Sequence, residues 1–423
     1  MRAYISAFAL AAAATAPALA QDLAVTNGRI VTNTEAGVIE NGTVIIRGGE
    51  IAEIGADLEA PAGFEVIDAD GGWITPGLFH PHTQLGLIEV GLEANTSDTA
   101  ANEASFTASI DVADAFNPNG AHIPEARQGG ITRFAVYPST GPAIIGGRGA
   151  LADTSGAEDS LFAAREFLFV DMSQSGANTA GGSRAAAWAF LRAAFEDARF
   201  YPGRFMSHHE GDAINRFDAA ALVDASRGEI PIVMQVERAA DIRRAIAFAD
   251  ANNALRLIVS GGGEAWMVAD ELAEAGIPVI LDPLRNLPAS FDVLAARLDG
   301  PARLHAAGVQ TAYTTVSADL YFNVRLLRQH AGNAVAHGAE WEDAFRAISL
   351  TPAEIYGVGE TYGALAEGYA GDVVVWDGDP LEVLSGVRAV AIGGEVQDLT
   401  SRQALLAERY AEEIANGEYG YRH

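Results

Sequence analysis

The sequence predicts an α/β fold: a (β/α)8 TIM-like barrel with a discontinuous small β-sandwich domain built from both chain ends. Three observations lead there. Residues 75–355 alternate short apolar strands with helices, at a strand-to-strand spacing of roughly 20–30 residues. Both ends are β-rich, and neither is long enough to form a core alone. The 423 residues suit a barrel plus one accessory domain. A doubly wound sheet shares the alternation, but this many units favours the barrel.

Taken in order, residues 1–20 read as a secretory signal. Arg2 precedes an apolar run through Ala14, and Ala-Leu-Ala at 18–20 precedes Gln21. The run is too short for a spanning helix, and no later segment has the length of one. The expected location is therefore periplasmic or secreted, after cleavage following Ala20. Residues 21–74 read as short strands at Leu23–Val25, Arg29–Thr32, Gly42–Arg47 and Glu50–Ile54, with turns at Asn27-Gly28, Asn41-Gly42 and Gly48-Gly49. Their partners are expected in 356–400, at Asp372–Trp376 and Val387–Ile392, with a turn at Gly393-Gly394.

Within 75–355, strands are expected at Ile131–Tyr137, Pro231–Val236, Leu257–Ser260, Pro278–Leu281 and Val309–Thr314. Helices are expected at 185–200, 239–253, 265–275, 291–307 and 319–337. Residues 401–423 form the terminal segment, whose first part reads as a helix docked on the barrel.

Composition narrows the function. There is no cysteine, which excludes disulfides and thiolate metal sites. All 27 basic residues are arginine, and the net charge is −29. Such a chain lacks the basic patches that nucleic-acid binding requires. A possible small-molecule ligand remains, as does assembly into a homo-oligomer or a hetero-oligomer with a paralogue.

The chemistry is concentrated in Pro-Gly-Leu-Phe-His-Pro-His-Thr-Gln at 76–84. Further motifs are Gly129-Gly130-Ile131-Thr132, the Gly-rich run Ile144–Ala150, the segment Gly228–Ala265, and Thr351-Pro352-Ala353 with Gly363–Pro380. Together and in this order they resemble the amidohydrolase superfamily, specifically its imidazolonepropionase-like exported members. That resemblance implies metal-dependent hydrolysis of non-peptide C–N bonds. It also implies a metal centre of two histidines on the first barrel strand, often a carboxylated lysine or glutamate, two later histidines and an aspartate. Such a metal lowers the pKa of its bound water toward ~7 and polarises the scissile carbonyl.

Matched residue by residue, His82 falls on the first ligand and Gln84 replaces the second. Gln235 stands at the third, Gly261 at the fourth, and Val316 at the position of the aspartate. Asp153 is the candidate for the lysine position, since the chain has no lysine. His80 and His82 could form a new pair, because alternate residues of a strand point the same way, but a catalytic zinc normally has three protein ligands. No cofactor is expected unless zinc or another divalent metal occupies a rebuilt site. The four replaced positions should ring an open point beside His82.

Other candidates carry weaker signals. His208-His209-Glu210 reads as a solvated loop, and His330 and His337 as the outer face of a helix. His305 is expected at the opposite end of the barrel. The Gly146–Gly149 run lacks the Gly-Lys-Ser/Thr of a phosphate loop and reads as a tight barrel loop. Glu237, Glu264, Asp282 and Asp319 lie near strand ends, where two could form a metal-free acid/base pair. The two competing readings are a divergent hydrolase and a metal-free pseudoenzyme acting as a binding module.

Overall fold

A computed structural model describes residues 22–206, 211–252, 255–316 and 320–415. The expected signal segment and the candidates His208, His209, Glu210 and Asp319 lie outside these residues.

The first five strands are β1 (Leu23–Val31), β2 (Val38–Arg47), β3 (Glu50–Ala56), β4 (Glu65–Asp68) and β5 (Trp73–Pro76). They join β14 (Val373–Trp376), β15 (Val387–Ile392) and β16 (Glu395–Val396) in one sheet of order β16-β15-β14-β5-β1-β2-β3. β4 also pairs with β1, so the sheet forks there. Its core combines Leu23, Val25, Ile30, Val44, Ile46 and Ile74 with Val373 and Val375 from the other end of the chain.

Two expected turns became bulges. Asn27-Gly28 lies inside β1 and Asn41-Gly42 inside β2, with Gly28 paired to Gly42 across the ladder. Both asparagines take positive φ, which this residue tolerates. A Cβ on Gly28 would come within 2.5 Å of Ile74, and one on Gly42 within 2.4 Å of Ile30. The glycines therefore permit close packing within a bent strand rather than a chain reversal.

The second sheet contains β6 (Leu78–Thr83), β7 (Ile131–Val136), β8 (Ile145–Asp153), β9 (Leu161–Asp171), β10 (Ile232–Val236), β11 (Leu257–Gly261), β12 (Val279–Leu281) and β13 (Thr311–Tyr313), in sequence order. Every ladder is parallel except the two made by β8. Segment 347–348 bridges the remaining gap: Tyr313 N–H donates to the Ala347 carbonyl at 2.9 Å, and Phe79 N–H to that of Ile348 at 2.8 Å. The result is an eight-stranded barrel. Phe79, Tyr137, Phe167, Phe169, Val233, Ile258 and Ile280 belong to the cluster that fills it.

The Gly146–Gly149 run is strand, not loop. A Cβ on Gly149 would lie 2.0 Å from the Phe167 ring, so glycine is what lets β8 lie against β9. Helix Arg184–Arg199 matches expectation, whereas residues 284–299 form a long loop before helix Gly300–Ala306. The terminal helix Arg402–Ala415 is present, but the described side chains of Arg402–Ala411 are all exposed, so this stretch is not docked. Only Leu405, Leu406 and Tyr410 there are large and apolar, too small a stripe to hold it down.

Candidate active site at the barrel mouth

Parallel strands bring their carboxyl ends to one face. The mouth therefore gathers His80 and His82 from β6, Asp171 from β9, Gln235 from β10, Ser260 and Gly261 from β11, and Asp282 after β12. β8 runs the other way, so its last residue, Asp153, lies at the floor. There Arg133 Nη1 reaches Asp153 at 3.1 Å, while Nε and Nη2 grip both oxygens of Asp372 at 2.6 and 2.9 Å. Asp153 is thus far from the mouth and engaged in a buried charge cluster. Asp171 is the carboxylate that ends a strand beside Gln235.

His82 is buried inside the barrel. Its Nδ1 meets Ser260 Oγ at 2.8 Å, and its ring packs edge-on against Tyr137 with centroids 3.5 Å apart. Phe169 stands on another side, 5.7 Å away. His80 accepts the His82 backbone N–H through Nδ1 at 3.3 Å. The proton must then sit on Nε2, which faces Thr315 Oγ1 at 3.1 Å. Burial pushes both imidazoles down to about 3, and for His80 the neighbouring His82 and His330 add to the effect. Both rings are neutral at physiological pH.

The replaced positions do not ring an open point. Gln84 turns away and donates to Ser139 Oγ at 2.5 Å. Gly261 has φ +92°, and a Cβ there would lie 2.6 Å from Glu237 Oε1. The Glu237 carboxylate thus occupies the room that a side chain at 261 would need. It is held by Gly263 N–H at 2.9 Å and Arg285 Nη1 at 2.6 Å. Burial raises its pKa, and the Arg285 guanidinium opposes that shift. Val316 lies after β13 and is one-third exposed.

His330 departs from expectation. It lies on the buried stripe of helix Leu327–Ala336 with Leu327, Ala331 and Ala334, and its Nδ1 meets Asp282 Oδ1 at 3.0 Å. His337 instead bonds the Asn333 carbonyl, and His305 the Tyr313 hydroxyl. Glu264 accepts Ala239 N–H at the start of the preceding helix, Ala239–Asp250.

A metal fits this donor set poorly. His82 offers only Nε2, which is buried and has no hydrogen-bond partner among the described residues. Both ring nitrogens of His80 are engaged, and His330 faces Asp282. Among the described residues no three histidines, aspartates or glutamates converge with the geometry to hold an ion.

Beside Glu237 opens a cleft of about 610 Å³, bounded also by Ser173, Asn178, Gln235, Arg285 and Phe291 among others. Asp171 lies just beneath, its Oδ1 accepting Ser173 N–H at 2.8 Å, and burial raises its pKa. Sequence reasoning missed Asp171, Ser260 and Arg285. The Phe-Leu-Phe-Val-Asp run at 167–171 was the available signal, an apolar strand ending in a carboxylate.

The profile of the Amidohydrolase family matches residues 73–401. The chain belongs to this family. An imidazolonepropionase from Acidiphilium cryptum is 26% identical over 373 residues, covering 82% of this chain and 89% of that protein. An adenine deaminase from Bradyrhizobium sp. is 29% identical over 132 residues, covering 30% of this chain but only 22% of its own length. An imidazolonepropionase from Caulobacter vibrioides is 51% identical over 51 residues, covering 12% of this chain and 13% of its own length.

Among solved structures, an amidohydrolase from Thermotoga maritima superposes with TM-score 0.79 at 24% identity, covering 88% of this chain and 99% of that one. An adenosine deaminase from Xanthomonas campestris with bound zinc superposes at 0.54 and 17% identity, covering 94% and 99%. These likenesses establish the barrel. The family is typically metal-dependent.

Proposed function

We propose that this chain is an exported member of the amidohydrolase family whose metal-dependent hydrolysis of C–N bonds has become weak or lapsed. The mouth of its barrel acts instead as a cleft that binds a small molecule. The observation that carries this reading is the coupled change at the ends of β10 and β11. Gln235 and Gly261 stand at two family ligand positions, and Glu237 fills the room beside the second. No single substitution at 261 re-forms a ligand there without displacing that carboxylate.

The chemistry left to the chain's own residues is binding and orientation. The Gln235 side chain makes no hydrogen bond among the described residues, so its amide is available to a ligand. Export rests on the Arg2–Ala20 segment, and amino-terminal sequencing of the periplasmic fraction should begin at Gln21.

Activity provides the direct check. The mature protein, supplied with zinc or manganese, is assayed against N-acyl amino acids and cyclic amides beside its His82→Ala variant. The account expects turnover indistinguishable between the two. Metal-stimulated hydrolysis that disappears in His82→Ala would falsify it.

A further inference from the structure

Resting on the cleft reading above, we infer that Arg285 is the ligand-anchoring cation of the mouth. The cleft takes a small carboxylate whose apolar or aromatic body lies against Phe291.

The first argument concerns which polar groups are already engaged. Each oxygen of the two acids at the cleft already accepts a hydrogen bond. Glu237 accepts Gly263 N–H and Arg285 Nη1. Asp292 accepts Gln174 N–H at 2.5 Å and is bridged by Arg184. A cationic ligand would therefore have to share oxygens that already hold Arg285 and Arg184. Donors remain open. Among the described residues Arg285 Nε and Nη2 make no hydrogen bond, and neither is buried without a partner. The Gln235 amide is likewise uncommitted. The open fork of Arg285, with the Gln235 amide lining the same cleft, favours an acceptor-rich ligand.

The second argument is preorganisation. Glu237 is 5% exposed and fixed by a backbone N–H on rigid β11–helix geometry, so it sets the plane of the guanidinium it holds. A guanidinium gripped along one edge presents its other edge as a fork, which matches the two oxygens of a carboxylate. The third argument is apolar. Phe291 is 79% exposed on the 284–299 loop beside the same cleft, flanked by Pro288 and Leu294. A large exposed ring at a cleft edge is a ready surface for an apolar ligand body.

Titration calorimetry on the mature full chain tests this with N-acetyl-L-phenylalanine and its C-terminal amide. The acid should bind at least about tenfold more tightly than the amide. Arg285→Gln should remove that preference, Arg285→Lys should keep only part of it because the fork is lost, and Phe291→Ala should weaken both probes. Arg285→Gln leaves Glu237 buried without its cation, so the double variant Glu237→Gln/Arg285→Gln provides a folded control that should also lose the preference. Equal binding of acid and amide, unchanged in the Arg285 variants, overturns the anchor while leaving the cleft reading intact. Failure of the acid to saturate the wild-type protein overturns the ligand class, and the metal-dependent assay then decides the cleft reading separately.

Discussion

At the floor of the barrel Arg133 holds Asp153 and Asp372, tying β7 and β8 to the small domain through three charged side chains. At the mouth, His80 and His82 are equally buried but uncharged, and the Nε2 atoms of His82 and His330 lack hydrogen-bond partners among the described residues. Charge buried with full pairing marks the floor as architecture: its members satisfy one another and leave nothing for a ligand. Buried nitrogens without partners each cost about 1–3 kcal/mol, a cost tolerated where a site once served, or still serves, another purpose. The difference marks the mouth, rather than the floor, as the functional end of the barrel.

Breaking the floor should have the largest effect. Arg133→Leu leaves two buried carboxylates without their cation and should destabilise the chain by about 3–5 kcal/mol in chemical denaturation. An effect below about 1 kcal/mol would mean that the cluster behaves like a surface pair.

The mouth can be broken at Gly261. Gly261→Ala places a methyl against Glu237 in a backbone region unfavourable to side chains, and should cost about 2–4 kcal/mol from strain and overpacking together. Combining it with Glu237→Ser should recover the overpacking part but not the backbone part. A fully additive pair would refute the idea that Glu237 fills that room.

The two ends should also respond differently to acid. The histidines have folded-state values near 3, below the usual 6.5. Between those limits the unfolded chain binds more protons, so stability falls as pH falls through that window. Each of His80 and His82 should withdraw about 2 kcal/mol between pH 7 and pH 5. His82→Gln should remove one such contribution, seen as a shallower dependence of unfolding free energy on pH. An unchanged slope would show that His82 is not held neutral by the fold. As a baseline, Arg243→Ala breaks the solvent-exposed pair with Glu271 and should leave the denaturation midpoint essentially unchanged.

Much of the barrel was legible because strands buried on both faces leave long apolar runs, and helix 184–199 carries a clear period. The composite domain was legible because two β-rich ends needed each other's cover. The site was only half legible. The motifs brought His82, Gln235 and Gly261 to strand ends at the mouth, but Asp153 lies at the floor, and nothing in its neighbourhood reveals that β8 runs backward and carries it there. His330 was misread because i,i+7 spacing alone does not say which face of a helix is buried. The Glu237–Gly261 coupling is a property of two adjacent strand ends, and it becomes visible only when their register is known.

The central claim is that the mouth no longer provides a metal site, and metal stoichiometry tests it most directly. The mature protein is purified without chelator, loaded with zinc or manganese, desalted, and measured by plasma mass spectrometry beside His82→Ala. The account predicts far less than one metal per chain in both proteins, and a melting temperature that chelator does not move. One equivalent retained by the wild type and lost in His82→Ala would contradict it.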